Sequence, residues 1–146
     1  MKRLDREFIL KTVKGSEQSA VNVKAAEDAV KYARAFYSDD ISIYESAFII
    51  LLNRSNNTIG WAKIGQGGLS ATIVDVRIVC KYAIDSLASG VIFVHNHPSG
   101  CILPSVQDES TTKRLKDALN ILDVKLLDSI IITESSYYSF CEMGKI

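Results

Sequence analysis

The ten residues from Val91 to Gly100, VIFVHNHPSG, constrain this chain more than any other stretch. An apolar run bounded by turn residues reads as a buried strand, and Pro98, which cannot continue a ladder, stops it. Both histidines of the chain stand at that stop, two residues apart. On a strand, residues i and i+2 face the same side, so His95 and His97 project in parallel while Asn96 points the other way. Two imidazoles side by side can share one metal ion. Two solvated histidines at a strand end are the plainer alternative.

Such a strand needs a sheet around it, and the flanking sequence supplies one. NVKAAEDAVKYARAFY is expected to form a helix capped by Asn22, with Ala26, Ala29, Val30, Ala33 and Tyr37 on one face. AFIILLN reads as a buried strand, SNNT as a turn, and IGWAKIG as the second arm of a hairpin. QGGLSATIV reads as a glycine turn and a short strand. Asp75 is expected to cap VRIVCKYAIDSLAS, a helix ending at Gly90. SVQDESTTKRLKDALNILD follows as a helix with Leu115, Ala118, Leu119 and Leu122 as its apolar stripe, and KLLDSIIIT and SYYSF supply the last strands. Strands mixed with helices, one helix lying between two strands, predict an α/β or α+β fold: a mixed β-sheet flanked by helices. A length of 146 residues fits one compact domain, residues 1–40 adding an N-terminal strand and helix to it.

Composition excludes several functions. Lys plus Arg equals Asp plus Glu at 17 each, so the cationic excess that drives counterion release from nucleic acid is missing and autonomous nucleic-acid binding is not expected. Lys113, Arg114 and Lys116 read as the solvated face of an ordinary helix, a local basic face being the alternative. No apolar stretch is long enough to span a bilayer, and MKRLDREFIL lacks the apolar segment of a signal peptide, so a cytoplasmic protein is expected. Cys80, Cys101 and Cys141 form no C-x-x-C pair, which argues against a disulfide framework or a four-cysteine zinc site.

Two histidines fall short of a catalytic zinc site, which usually takes three protein ligands and keeps one position open. A carboxylate should complete the set, and PSVQDES offers Asp108, Glu109 and Ser105 just past the loop. S-x-x-D before an apolar-periodic helix is also the signature of a cap. The cap would hold Asp108 in the first turn, facing back toward the histidines, whereas Glu109 is rotated by about 100° and less well aimed. Capping and ligation by Asp108 can therefore coexist, and Ser105 could likewise accept a backbone N–H while donating its own O–H. Amidohydrolase barrels need about 250 residues, and zinc deaminases need H-x-E and P-C-x-x-C, which are absent here.

The pattern H-x-H-P-S-G-(x)3-P-S-x-x-D, His95 through Asp108, resembles the JAMM motif of the JAB/MPN+ metalloprotease superfamily, in the version carried by RadC-like (UPF0758) proteins. The likeness extends over roughly Ile41 to Ile146: ESAFIILLNRSN resembles the family's first core strand, GGLSATIVDVR its glycine turn and V-D-x-R segment, and LLDSIIITESSYYSF its C-terminal strands. It implies the JAB/MPN architecture, which is cytidine-deaminase-like. It also implies one Zn2+ per chain held by His95, His97 and Asp108, with Ser105 as a polarising hydroxyl and Glu45 as the catalytic glutamate. From the residues alone Glu45 is merely an acidic side chain before a strand.

The implied chemistry is peptide or isopeptide hydrolysis. Zinc lowers the pKa of its water toward about 7, Glu45 takes the proton, hydroxide attacks the carbonyl and Ser105 donates to the developing oxyanion. The implied partner is a peptide or protein substrate. The alternative is an MPN-type binding module acting in DNA repair or with mobile elements, without turnover. Three departures from the family pattern stand out. No helix-hairpin-helix segment precedes the domain here, which counts against DNA binding; Ser129 replaces the histidine of LLDH; and Cys101 stands where Asp or Asn is usual. A thiolate at Cys101 could displace the catalytic water, or the residue could simply fill the loop.

Overall fold

The computed structural model describes residues 19–67 and 74–146. Most of the expected glycine turn and strand in QGGLSATIV, and the expected strand near the N-terminus, lie outside the described residues. Among the described residues the sheet has five strands, β1 (Ser46–Leu52), β2 (Thr58–Gln66), β3 (Gly90–Asn96), β4 (Lys125–Ile132) and β5 (Tyr137–Ser139). Their order is β2-β1-β3-β4-β5. β1 pairs antiparallel with both β2 and β3, β3 and β4 are parallel, and β5 closes the far edge antiparallel to β4. The sheet is therefore mixed, as expected. The parallel pair is joined by a helical crossover, the connection such a pair requires.

β1 and β3 are buried along their whole lengths, so both faces of the sheet must be covered. Alternation divides their side chains. Ala47, Ile49, Leu51, Val91 and Phe93 pack with Val79 and Ala83 of α2 (Val76–Asp85) and with Leu115 and Leu119 of α3 (Val106–Ile121). Ile50, Leu52, Ile92, Val94, Ile130 and Ile132 pack on the other face against Ala29, Val30 and Ala33 of α1 (Ala26–Arg34). Full burial of each of these branched side chains contributes about 1.5–3 kcal/mol relative to exposure. The Arg34 guanidinium donates to the Thr133 carbonyl at 2.9 Å and ties α1 to the β4–β5 turn. Among the described residues no helix is long and apolar enough to cross a membrane.

Two local expectations are corrected. Asn22 does not cap α1. Its amide donates to the Ser55 carbonyl and to Asn57 Oδ1, both at 2.9 Å, in the β1–β2 turn. The helix begins at Ala26, where the Asp28 carboxylate accepts the backbone N–H groups of Lys24 and Ala25. Asp75 does cap α2, accepting the Arg77 N–H at 2.9 Å. That helix ends at Asp85, however, not at Gly90; the left-handed residue beyond it is Leu87, at φ 52°. Gly90 instead opens β3, where a Cβ would stand 2.6 Å from the Leu127 side chain.

Candidate metal centre

The pleat of β3 sorts its end into two faces. His95 follows Val91 and Phe93 onto the α2/α3 side, where it is 3% exposed and stacks on the Phe93 ring at 5.3 Å. Asn96 turns to the α1 side and is fully buried. His97 lies just past the strand, with its N–H held by the Ile132 carbonyl at 3.0 Å. A turn follows, closed by the Gly100 N–H donating to the His97 carbonyl at 3.0 Å, with Gly100 at φ +84°. This turn places the Cys101 carbonyl 2.7 Å from His97 Nδ1. A carbonyl can only accept, so Nδ1 carries a proton and Nε2 is the nitrogen turned to the cluster, donating to Asp108 when the ring is protonated and offering its lone pair when the ring is neutral.

The start of α3 brings the acid. Ser105 Oγ accepts the Asp108 N–H at 3.1 Å, and Asp108 Oδ2 accepts the Ser105 N–H at 2.8 Å, a reciprocal cap. The capped turn aims Asp108 inward. Its Oδ1 lies 3.0 Å from His95 Nε2, its Oδ2 lies 3.0 Å from His97 Nε2, and the two Nε2 atoms are 3.2 Å apart. Glu109 points elsewhere and pairs with Lys145 at 2.6 Å.

Glu45 completes the group through the β1–β3 pairing. Ala47 lies opposite His95, so the residues just before β1, Glu45 among them, reach the end of β3 that carries the histidines. Ligand atoms of Glu45, His95, His97 and Asp108 all lie within 4.8 Å of one another, the one convergence of this kind among the described residues. Cys101 is exposed and is not a member of that group. Burial raises the Asp108 carboxyl, but hydrogen bonds from both histidines and the Ser105 N–H outweigh it and hold the group well below the usual carboxylate range. The bond to Asp108 raises His97 against the opposing effect of burial. Burial likewise raises Glu45, opposed by the two imidazoles and assisted by the Asp108 charge.

These residues fit a divalent metal. The two Nε2 atoms, 3.2 Å apart, are spaced close to the edge, about 3.3 Å, of a tetrahedron with ligand bonds of about 2.0–2.1 Å, and Asp108 reaches each of them at 3.0 Å with a different carboxylate oxygen. The Nδ1 of His95 is buried with no hydrogen-bond partner among the described residues. Ser129, where a histidine is usual, is fully buried and accepts the Thr112 hydroxyl at 2.8 Å, so it links β4 to α3. The other buried carboxylate, Asp128, accepts the Ser139 hydroxyl at 2.5 Å and the backbone N–H groups of Ser129 and Cys141 at 2.7 and 3.0 Å. It anchors the C-terminal turn.

A mixed sheet covered by helices on both faces, with two histidines at the end of a central strand and carboxylates from the residue just before a neighbouring strand and from a helix start, defines an α+β domain with a candidate metal centre. The RadC-like JAB domain family matches residues 23–145, and the chain belongs to that family. A UPF0758 protein of Flavobacterium johnsoniae is 48% identical over 101 residues, covering 69% of this chain and 44% of the relative. A UPF0758 protein of Porphyromonas gingivalis is 40% identical over 101 residues, covering 68% and 44%. A UPF0758 protein of Listeria monocytogenes is 40% identical over 129 residues, covering 88% and 57%. The chain spans about half the length of these curated relatives.

Proposed function

We propose that this domain is a JAMM-type hydrolase that cleaves peptide or isopeptide bonds with zinc as its metal. The observation that carries the reading is the convergence of Glu45 with His95, His97 and Asp108 within 4.8 Å. A binding module has no need for a partly buried glutamate beside a complete ligand set. His95 Nε2, His97 Nε2 and Asp108 would hold the ion, a nitrogen-and-oxygen donor set that suits zinc. The metal, when bound, supplies Lewis acidity that makes water nucleophilic near neutral pH and polarises a carbonyl.

The remaining chemistry belongs to side chains of this chain. Glu45, with its pKa raised by burial, takes a proton from the attacking water and returns it to the leaving nitrogen, which works best when acid and base forms are both accessible near the operating pH. Ser105 Oγ already accepts the Asp108 N–H; its own proton remains available to donate to the oxygen on which charge develops. Leu103 and Val106, on either side of Ser105, are 67% and 85% exposed, and Ile43 and Tyr44, just before Glu45, are 49% and 41% exposed. Exposed apolar side chains next in sequence to Glu45 and Ser105 support a peptide or protein substrate. The test is to compare peptides released from a cell lysate by the zinc-loaded wild type and by Glu45→Gln. Products specific to the wild type support the reading, and identical peptide sets contradict it.

A further inference from the structure

The asparagine between the two histidines is as tightly engaged as they are, on the opposite face of the sheet. Asn96 Oδ1 accepts the Ser46 N–H at 2.7 Å, and its Nδ2 donates to the Ile41 carbonyl at 2.6 Å and the Tyr44 carbonyl at 2.7 Å. The amide orientation is settled by its partners, since a backbone N–H can only donate and two carbonyls can only accept. These groups bracket Glu45. Two further bonds complete the hold: the Gly67 N–H donates to the Glu45 carbonyl at 2.8 Å, and the Tyr37 hydroxyl donates to the Ser46 carbonyl at 3.0 Å. Tyr37 is itself fixed edge-on to Phe48 of β1, with ring centroids 5.0 Å apart.

We propose that Asn96 is a positioning residue that sets where the Glu45 carboxylate stands relative to His95, His97 and Asp108. The proposal rests on the reading of Glu45 as the base. Residues 39–42 form a short 3-10 turn and β1 starts only at Ser46, so the Glu45 backbone lies outside any regular ladder. Asn96 supplies the missing bonds from the strand that carries the ligands. The three-residue string His95-Asn96-His97 thus serves the centre twice: its odd positions meet the metal face, and its middle position fixes the chain that brings the base to that face. An aspartate in place of Asn96 would keep the Ser46 bond but turn a second oxygen against two carbonyls.

The test compares Asn96→Asp with the wild type in the full chain, beside Glu45→Gln and beside Leu119→Ala, a fully buried position in α3 that lowers stability without touching the site. Amide hydrogen exchange reads the hold on residues 41–46. Asn96→Asp should exchange there about ten-fold or more faster while β3 and β4 stay protected, whereas Leu119→Ala should speed exchange across the sheet without preference for that segment. The visible spectrum of the Co2+-loaded protein reads the surroundings of the metal. Asn96→Asp should still take up Co2+, with its bands shifted from wild type toward those of Glu45→Gln; Leu119→Ala should keep the wild-type bands. Should Asn96→Asp fail to fold, Asn96→Ser, whose hydroxyl stands one bond short of the amide atoms and cannot make all three bonds, carries both readouts. Exchange at 41–46 that changes only in proportion to global stability would overturn the proposal, as would wild-type bands despite a loosened segment. Failure of the wild type to take up Co2+ would instead refute the metal reading, and the exchange data alone would then decide whether Asn96 holds the segment.

Discussion

Ser105 and Asp108 hold each other: the hydroxyl of one accepts the N–H of the other at 3.1 Å, and the carboxylate answers at 2.8 Å. The same Asp108 Oδ2 lies 3.0 Å from His97 Nε2. Helix capping and the candidate metal centre therefore share one carboxylate. Asp108→Asn should weaken zinc binding by more than the 10–100-fold typical of losing an outer-shell partner, because an anionic ligand is removed. It should also loosen the start of α3 by about 1 kcal/mol. Chelator competition and thermal melts measure the two effects, and unchanged zinc affinity would remove Asp108 from the ligand set.

Protonation of the metal-free cluster makes a signed prediction. His97 is raised by its bond to Asp108, so its stabilising contribution is fully present below the unfolded histidine value of about 6.5 and is lost as pH rises through the higher folded value. Asp108 is held down, so its contribution is present above the unfolded aspartate value of about 3.9 and is lost as pH falls toward the folded one. The cluster thus stabilises the metal-free protein most between about pH 4 and 6.5. Metal binding requires deprotonated imidazoles and strengthens as His97 loses its proton. Melting curves from about pH 5 to 8.5 should show the gap between zinc-loaded and metal-free protein widening with pH. A gap that narrows would contradict this account of the cluster.

Cys101 contributes its carbonyl to the centre, through the 2.7 Å contact with His97 Nδ1. Its thiol is exposed and outside the converging group. Any residue that adopts the same turn supplies that carbonyl. Cys101→Asp should leave zinc content and rate unchanged and shift stability by no more than about 0.5 kcal/mol. A gain in activity or a change in metal content on this substitution would reveal a thiol acting on the metal.

The parts of the centre that were legible in the sequence are those written in local periods. His95 and His97 share a face because a strand repeats every two residues, and Asp108 is aimed by a cap whose spacing is visible in PSVQD. Glu45 is different. Its place depends on the register between β1 and β3, strands separated by the whole of β2 and α2, and only the family resemblance singled it out. The role of Asn96 was half visible: alternation turned it away from the histidines, but nothing local showed that backbone groups of Ile41, Tyr44 and Ser46 wait on that side. The misread helix ends have the same cause. Asn22 is drawn to a turn more than thirty residues away, and Gly90 is needed for its closeness to Leu127, not for a cap.

If His95, His97 and Asp108 bind a metal and Glu45 works beside it as a base, ligand and base separate in a calorimetric titration of Zn2+ into metal-free wild type and Glu45→Gln. Both proteins should take up about one equivalent with closely similar affinity, and Glu45→Gln should then lose roughly 10²–10⁴-fold in hydrolysis of any substrate found for the wild type. No zinc uptake by the wild type, or loss of the site in Glu45→Gln alone, would contradict the account.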